Sequence, residues 1–156
     1  MRSDERLRVG VAGCGRIARA LHIPGYQRSP RANLVAFFNH RKDTAVDLLD
    51  SHPGTTFYDD FDRFLGESGV EAISVCTPNV MHAEMTIGAL RRGVHVLVEK
   101  PMATSPSDAR GMIAAAAEST ALLTVGHSER YYPAHREARR IIESGALGRV
   151  FQVRTM

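Results

Sequence analysis

Apolar residues enter this chain in short unbroken blocks: Leu7–Ala12, Leu34–Phe38, Ala72–Cys76, His95–Val98 and Leu122–Val125. They run almost continuously apolar rather than alternating, which predicts parallel strands covered on both faces. The stretches between them, Ile17–Gln27, Thr44–Asp50, Met81–Arg91 and Pro106–Glu118, carry apolar residues at helical spacing and predict amphipathic helices. A weaker strand, Thr55–Tyr58, and a short helix, Asp60–Leu65, fill the middle. Further on, a helix is predicted over Ala134–Ser144, stopping at Gly145, and Val150–Arg154 reads as the opening of another strand with no partner in view. Strand alternating with helix requires right-handed crossovers. The pattern therefore predicts an α/β fold, a doubly wound parallel sheet with helices on both faces.

Local chemistry marks the boundaries. In Ser105-Pro106-Ser107-Asp108 a capping hydroxyl precedes a proline at the first helical position, with an acid in the first turn. Gly93 follows Arg91-Arg92, so cations sit at the negative end of one helix and glycine just beyond it.

Composition narrows the function classes. The chain has 156 residues, 44% apolar and 24% charged, enough for a core and too little net charge for disorder. No apolar run approaches the roughly 20 residues of a membrane span. The run Met1–Arg6 is charged and lacks the apolar stretch of a signal peptide, so a soluble cytoplasmic protein is the default expectation. The net charge of +3 comes from dispersed arginines rather than a basic stripe, which argues against nucleic acid as a partner. Two cysteines, Cys14 and Cys76, cannot build a disulfide framework and show no zinc spacing, so they read as small, reduced core residues, with no metal expected.

The first strand runs directly into Gly13-Cys14-Gly15-Arg16-Ile17-Ala18 and then into a helical pattern, the setting that a dinucleotide-binding loop requires. Gly13 permits the tight turn, Gly15 removes the side chain that would block a pyrophosphate, and Ala18 allows close packing of helix on strand. The helix start then aims unpaired amides and a positive dipole end at the phosphates. The second strand ends in Asn39-His40-Arg41-Lys42, where the adenosine ribose is contacted. An acid there would repel a 2′-phosphate; Asn39 is neutral and Arg41 can bind phosphate, which favours NADP over NAD. Asn39 also tolerates NAD, and Arg41-Lys42 equally reads as a solvated turn.

Three more motifs follow strands: Val75-Cys76-Thr77-Pro78-Asn79-Val80-Met81-His82, Val98-Glu99-Lys100-Pro101, and Gly126-His127-Ser128-Glu129-Arg130-Tyr131-Tyr132-Pro133. With the glycine loop, they resemble the Gfo/Idh/MocA family of NAD(P)-dependent oxidoreductases, to which biliverdin reductases are related. The resemblance covers practically the whole chain and corresponds to the N-terminal half of a typical member. It implies a Rossmann-type NAD(P)-binding domain over residues 1–145, with 146–156 opening an α+β substrate domain. The implied activity is hydride transfer between nicotinamide and a carbinol or carbonyl carbon of a small sugar or polyol-like substrate.

The resemblance also implies roles. Lys100 is the family lysine beside the reacting oxygen, a task suited to an amine that loses its proton more readily when desolvated. Glu99 would orient it or contact the nicotinamide amide, and Pro101 would fix the turn, a cis bond being one way to do so. The bland alternative is a Glu99–Lys100 ion pair at a strand end. Cys76, Thr77, Pro78, Asn79 and His82 form the loop under the nicotinamide ribose. Asn79 can equally cap the next helix, and His82 can equally be a first-turn residue facing solvent. His127 and Arg130 would line the substrate side, or serve only packing and surface pairing. Among the other histidines, His95 reads as structural; His22, His40, His52 and His135 read as surface residues without chemistry of their own, His40 entering only as part of the adenosine-side turn.

Family members carry a second acid–base pair, Asp and His, in the substrate domain. The resemblance therefore implies a chain that folds alone and is catalytically incompetent alone. Two alternatives come from other classes: a non-catalytic dinucleotide-binding module, and an interaction protein pairing through its last strand. Substrate identity, reaction direction and homo-oligomerisation are left open.

Overall fold

The computed structural model describes residues 6–154. Most of the charged N-terminal run, and the last two residues of the segment 146–156, lie outside the described residues.

Six strands form one wholly parallel sheet in the order β3-β2-β1-β4-β5-β6. They are β1 (Leu7–Ala12), β2 (Ala32–Phe38), β3 (Thr56–Tyr58), β4 (Ala72–Val75), β5 (His95–Val98) and β6 (Leu123–Val125). The chain starts at the centre, winds one way through β2 and β3, then returns past β1 to wind the other way. The order reverses between β1 and β4, and in such sheets ligands bind at the carboxyl ends beside that reversal.

The apolar blocks form strands because both faces are covered. Successive side chains alternate between faces, so Phe38 and Ala12 enter one core with Phe64, Ile73, Leu90 and Met112. Phe37 and Val11 enter the other, with Ala18, Ile23 and Leu48. The first face is packed by α3 (Phe61–Glu67), α4 (His82–Arg91) and α5 (Pro106–Glu118); the second is packed by α1 (Ile23–Arg28) and α2 (Val46–Ser51). Boundary chemistry is as the sequence predicts. The Asp108 amide donates to Ser105 Oγ at 3.1 Å. Gly93 has φ +73°, and its amide donates to the Leu90 carbonyl at 3.0 Å.

Some elements differ from the expectation. β2 begins at Ala32 because β1 pairs with it from Leu7 onward, the Leu7 amide donating to the Arg31 carbonyl at 2.8 Å. The first helix opens with a π-helical turn, Ala18–His22, before α1. Three-residue-periodic turns, Lys42–Ala45 and Asn79–Met81, lead into α2 and α4.

A first compact unit ends at Gly126 and a second begins at His127. The second contains the turn Ser128–Tyr131 and α6 (Pro133–Glu143). Val150–Arg154 forms no strand: it has no pairing partner among the described residues, and an extended segment becomes a strand only by sharing backbone hydrogen bonds.

Candidate functional site

The carboxyl ends of β1, β2, β4 and β5 are knit together by backbone. The Gly13 amide donates to the Phe38 carbonyl at 2.8 Å, Cys76 to Ala12 at 2.7 Å, and Glu99 to Val75 at 2.9 Å. Gly13 has φ +93°, and a Cβ there would lie 2.7 Å from the Cys76 carbonyl group and 2.8 Å from the Thr77 nitrogen. No other residue fits. Gly15 is the opposite case: a Cβ built on it meets nothing within 4 Å. The loop is thus pinned at Gly13 and open at Gly15. The helix starts directly after, the Arg19 amide donating back to the Gly15 carbonyl at 3.1 Å. Amides of Arg16 and Ile17 in that first turn have no intrahelical acceptor.

Cys14 and Cys76 line the buried side of this loop. Burial is the main cause that raises the Cys14 thiol to about 11 and pushes the Cys76 thiol up further, with the Glu99 carboxylate adding to the latter. Their contribution to the loop is backbone and packing, with neutral thiols.

On the adenosine side, Arg19 donates from Nε to the Cys14 carbonyl at 2.9 Å and from NH2 to Asp47 at 2.9 Å. The same guanidinium donates to the Thr44 carbonyl at 2.5 Å, which ties the phosphate loop to the turn before α2. Asn39 turns its amide NH2 into that turn, donating to the Arg41 carbonyl at 3.2 Å and to Thr44 Oγ1. Only its carbonyl oxygen stays available to a ribose hydroxyl. His40 is exposed, with its ring edge-on to Phe38. Arg41 is extended into solvent, 3.5 Å from Asp43, at 73% side-chain exposure.

On the nicotinamide side, Pro78 and Asn79 are exposed and Asn79 caps nothing, so the capping alternative is not realised. Thr77 is half-buried, its hydroxyl 3.6 Å from Met85 Sδ. His82 corrects the expectation of a solvent-facing or ligand-touching residue. It is fully buried, with Nδ1 2.9 Å from the Pro101 carbonyl and Nε2 3.0 Å from the Thr77 carbonyl. Its single ring N–H lies between two carbonyls from two site loops, and the buried ring leaves neither nitrogen open to solvent. Pro101 follows a cis peptide bond and is itself exposed.

Glu99 and Lys100 do not pair. Adjacent in the chain just past β5, they point apart, Lys100 into solvent and Glu99 inward at 13% side-chain exposure. Glu99 accepts instead from the Lys100 amide at 3.1 Å and lies 2.9 Å from His22 Nε2. His22, expected on the surface, is 7% exposed and joined to Ser74, and through Ser74 to Tyr26. The missed signal is the spacing Ala18, His22, Tyr26, a helical stripe of one residue in four. His95 is structural as expected, its Nδ1 accepting from the Leu122 amide at 2.9 Å. His52 is half-buried rather than surface, its ring edge-on to Phe37. In the second unit, His127 and Arg130 are both exposed in the turn that precedes α6.

Comparison with known proteins places this geometry. An oxidoreductase family with an NAD-binding Rossmann fold matches residues 7–127. A dTDP-3,4-didehydro-2,6-dideoxy-alpha-D-glucose 3-reductase from Actinomadura kijaniata is 32% identical over 144 residues, covering 92% of this chain and 43% of the relative. A 1,5-anhydro-D-fructose reductase from Ensifer adhaerens is 33% identical over 147 residues, 94% of this chain and 44% of its own length. Among solved structures, the WlbA dehydrogenase from Bordetella pertussis, in complex with NADH and UDP-GlcNAcA, superposes with TM-score 0.91 at 28% identity, over 97% of this chain and 43% of that one. A 3-ketoreductase from Actinomadura kijaniata in complex with NADP gives TM-score 0.82 at 32% identity, over 92% and 46%. The chain spans less than half the length of each of these relatives. Among the described residues no helix is long and apolar enough to cross a membrane. The protein belongs to the Gfo/Idh/MocA oxidoreductase family, and residues 7–127 carry that family's NAD-binding Rossmann fold.

Proposed function

We propose that this chain is the cofactor-binding half of an NAD(P)-dependent oxidoreductase that acts on a carbinol or carbonyl carbon of a small sugar or polyol-like substrate. The observation that carries the reading is the contrast between Gly13, locked against the β4 loop, and Gly15, open above the helix start. That contrast fits a pyrophosphate lying over Gly15 on the amides of Arg16 and Ile17. A bound nicotinamide dinucleotide would supply the hydride donor or acceptor. The chain's own residues bind and orient: Asn39 accepts from the adenosine ribose, Asn79 offers a free amide beside the nicotinamide ribose, and Lys100 presents its amine at the end of β5. There, Lys100 would exchange a proton with the substrate oxygen. Residues 1–145 form the cofactor domain in this reading, and 146–156 open the substrate domain, on whose side His127 and Arg130 stand.

Arg41 beside a neutral Asn39 favours NADP(H), since the strand-end position carries no acid and the exposed guanidinium can turn from Asp43 to a 2′-phosphate. Titration of the purified chain with NADPH, NADH and ADP-ribose, followed by calorimetry, tests the reading. Saturable binding of NADPH at least as tight as that of NADH is expected. Absence of binding by all three would overturn the assignment of the cradle, and a clear preference for NADH would overturn the cofactor preference alone.

A further inference from the structure

Glu99, directly after β5, is the one acidic side chain among the described residues that is largely buried, and each of its oxygens has a donor. Oε2 accepts from the Lys100 amide at 3.1 Å, and Oε1 lies 2.9 Å from His22 Nε2. His22 Nδ1 lies 2.8 Å from Ser74 Oγ, which in turn meets the Tyr26 hydroxyl at 2.5 Å. Ser74 is fully buried in the middle of β4, and Tyr26 stands on α1 one helical turn beyond His22. A residue on the first helix is thus linked to the end of β5, 77 positions away in sequence.

The donors and acceptors close in only one direction with a neutral ring. Burial raises the Tyr26 pKa, so its hydroxyl keeps its proton and donates to Ser74 Oγ. Ser74 then donates to the bare Nδ1 of His22, and the protonated Nε2 donates to the Glu99 carboxylate. Ser74 and His22 each accept once and donate once between the Tyr26 donor and the Glu99 acceptor, so the facing polar atoms of the relay are paired. Gly126 completes the seat from the other side: a Cβ there would lie 3.1 Å from Glu99 Oε1. A methyl group would press on the oxygen that faces His22 and require it to give by a few tenths of an ångström.

We propose that Tyr26, Ser74 and His22 form a positioning relay that fixes the Glu99 carboxylate for the nicotinamide end of the bound cofactor. His22, which touches Glu99 directly, is its key member. The π-helical turn Ala18–His22 brings that ring to the carboxyl end of the sheet, and Lys100 is exposed with no ion-pair partner among the described residues. This inference rests on the proposed nicotinamide site, and the experiment separates the two.

The affinities of NADPH and of 2′-phospho-ADP-ribose, which lacks the nicotinamide, are compared by calorimetry for the wild-type chain and for His22→Leu, His22→Gln, Gly126→Ala and Glu99→Gln. His22→Leu and Gly126→Ala should each weaken NADPH about tenfold while leaving 2′-phospho-ADP-ribose unchanged. His22→Gln, whose amide reaches the Nε2 position, should recover most of the loss. Equal losses for both ligands would make His22 a merely structural residue and overturn the proposal. Glu99→Gln weakening NADPH with His22→Leu silent would overturn the relay and keep the site. Both silent would overturn the nicotinamide site at Glu99 as well. Nitrogen chemical shifts of the His22 ring in the wild-type chain near neutral pH test the polarity without any variant. A protonated Nε2 with a bare Nδ1 is expected, and a bare Nε2 would overturn the relay.

Discussion

Gly13 and Gly15 are two residues apart, and substituting them should break different things. At Gly13, an Ala must hold φ near +93° and seat its Cβ 2.7 Å from the Cys76 carbonyl group. The backbone conformation costs about 1–3 kcal/mol for a residue with a side chain. The overlap is with backbone, which cannot swing aside, and such overpacking costs about 1–3 kcal/mol more. A total near 4 kcal/mol, divided by a urea dependence of about 2 kcal/mol per molar, lowers the midpoint of unfolding by roughly 2 M. At Gly15 the added atoms enter open space and φ lies outside the left-handed region. Gly15→Val should therefore leave stability within about 0.5 kcal/mol, while its branched side chain fills the pyrophosphate path and weakens NADPH at least tenfold. The chain has no Trp, so unfolding is followed by circular dichroism and binding by calorimetry. A Gly15→Val variant that binds NADPH normally, or a Gly13→Ala variant with an unchanged midpoint, would refute the reasoning.

Two further outcomes follow from the same edge of the sheet. Arg41→Ala should weaken NADPH and spare NADH. At 73% exposure the charge-assisted contact is discounted to about 1 kcal/mol, roughly fivefold in affinity by calorimetry, and equal losses for both cofactors would point to the fold of the turn instead. His82→Leu should remove the one ring N–H shared by the Thr77 and Pro101 carbonyls at a cost of about 1–3 kcal/mol in urea unfolding; a loss under about 0.5 kcal/mol would show that the clamp is dispensable.

The strands were legible because continuous apolar blocks have few solutions once helices lie between them, and the phosphate loop because its chemistry is local. Gly13, Gly15 and the helix after them are adjacent in sequence, and so are Glu99, Lys100 and Pro101. His22 and His82 were misread for the opposite reason: their partners are remote. Nothing local to His82 indicates that the carbonyls of Thr77 and Pro101 converge on its ring, since backbone acceptors leave no compositional trace. His22 did carry a trace, the stripe it shares with Ala18 and Tyr26, but only the sheet order shows Ser74 and Glu99 beneath that stripe. Val150–Arg154 has the composition of a strand without the pairing that defines one.

The buried thiol beneath the phosphate loop couples fold stability to alkaline pH. Cys14 is 4% exposed, and desolvation is the main cause that raises its pKa to about 11. In the unfolded chain a thiol titrates near 8.5. The folded pKa is the higher one, so between these values the folded state holds a proton that the unfolded state has released. The stabilisation is therefore fully present below about pH 8.5 and is lost as pH rises toward 11. From pH 8.5 to pH 10 this linkage removes about 1.6 kcal/mol for one such thiol. Cys76, raised further by burial, adds a loss of similar size over the same interval. The Tyr26 hydroxyl, also raised by burial, keeps its proton through this window, and its unfolded counterpart ionises only near pH 10, so it adds no more than about 0.4 kcal/mol. Urea unfolding of the wild-type chain at several pH values should show stability falling by about 3 kcal/mol between pH 8.5 and 10, and Cys14→Ala should halve that fall whatever its effect on absolute stability. A wild-type curve that is flat across this interval, or a slope untouched by Cys14→Ala, would mean that the thiol beneath the phosphate loop is open to solvent, and the packing that holds the loop against β4 would have to be redrawn.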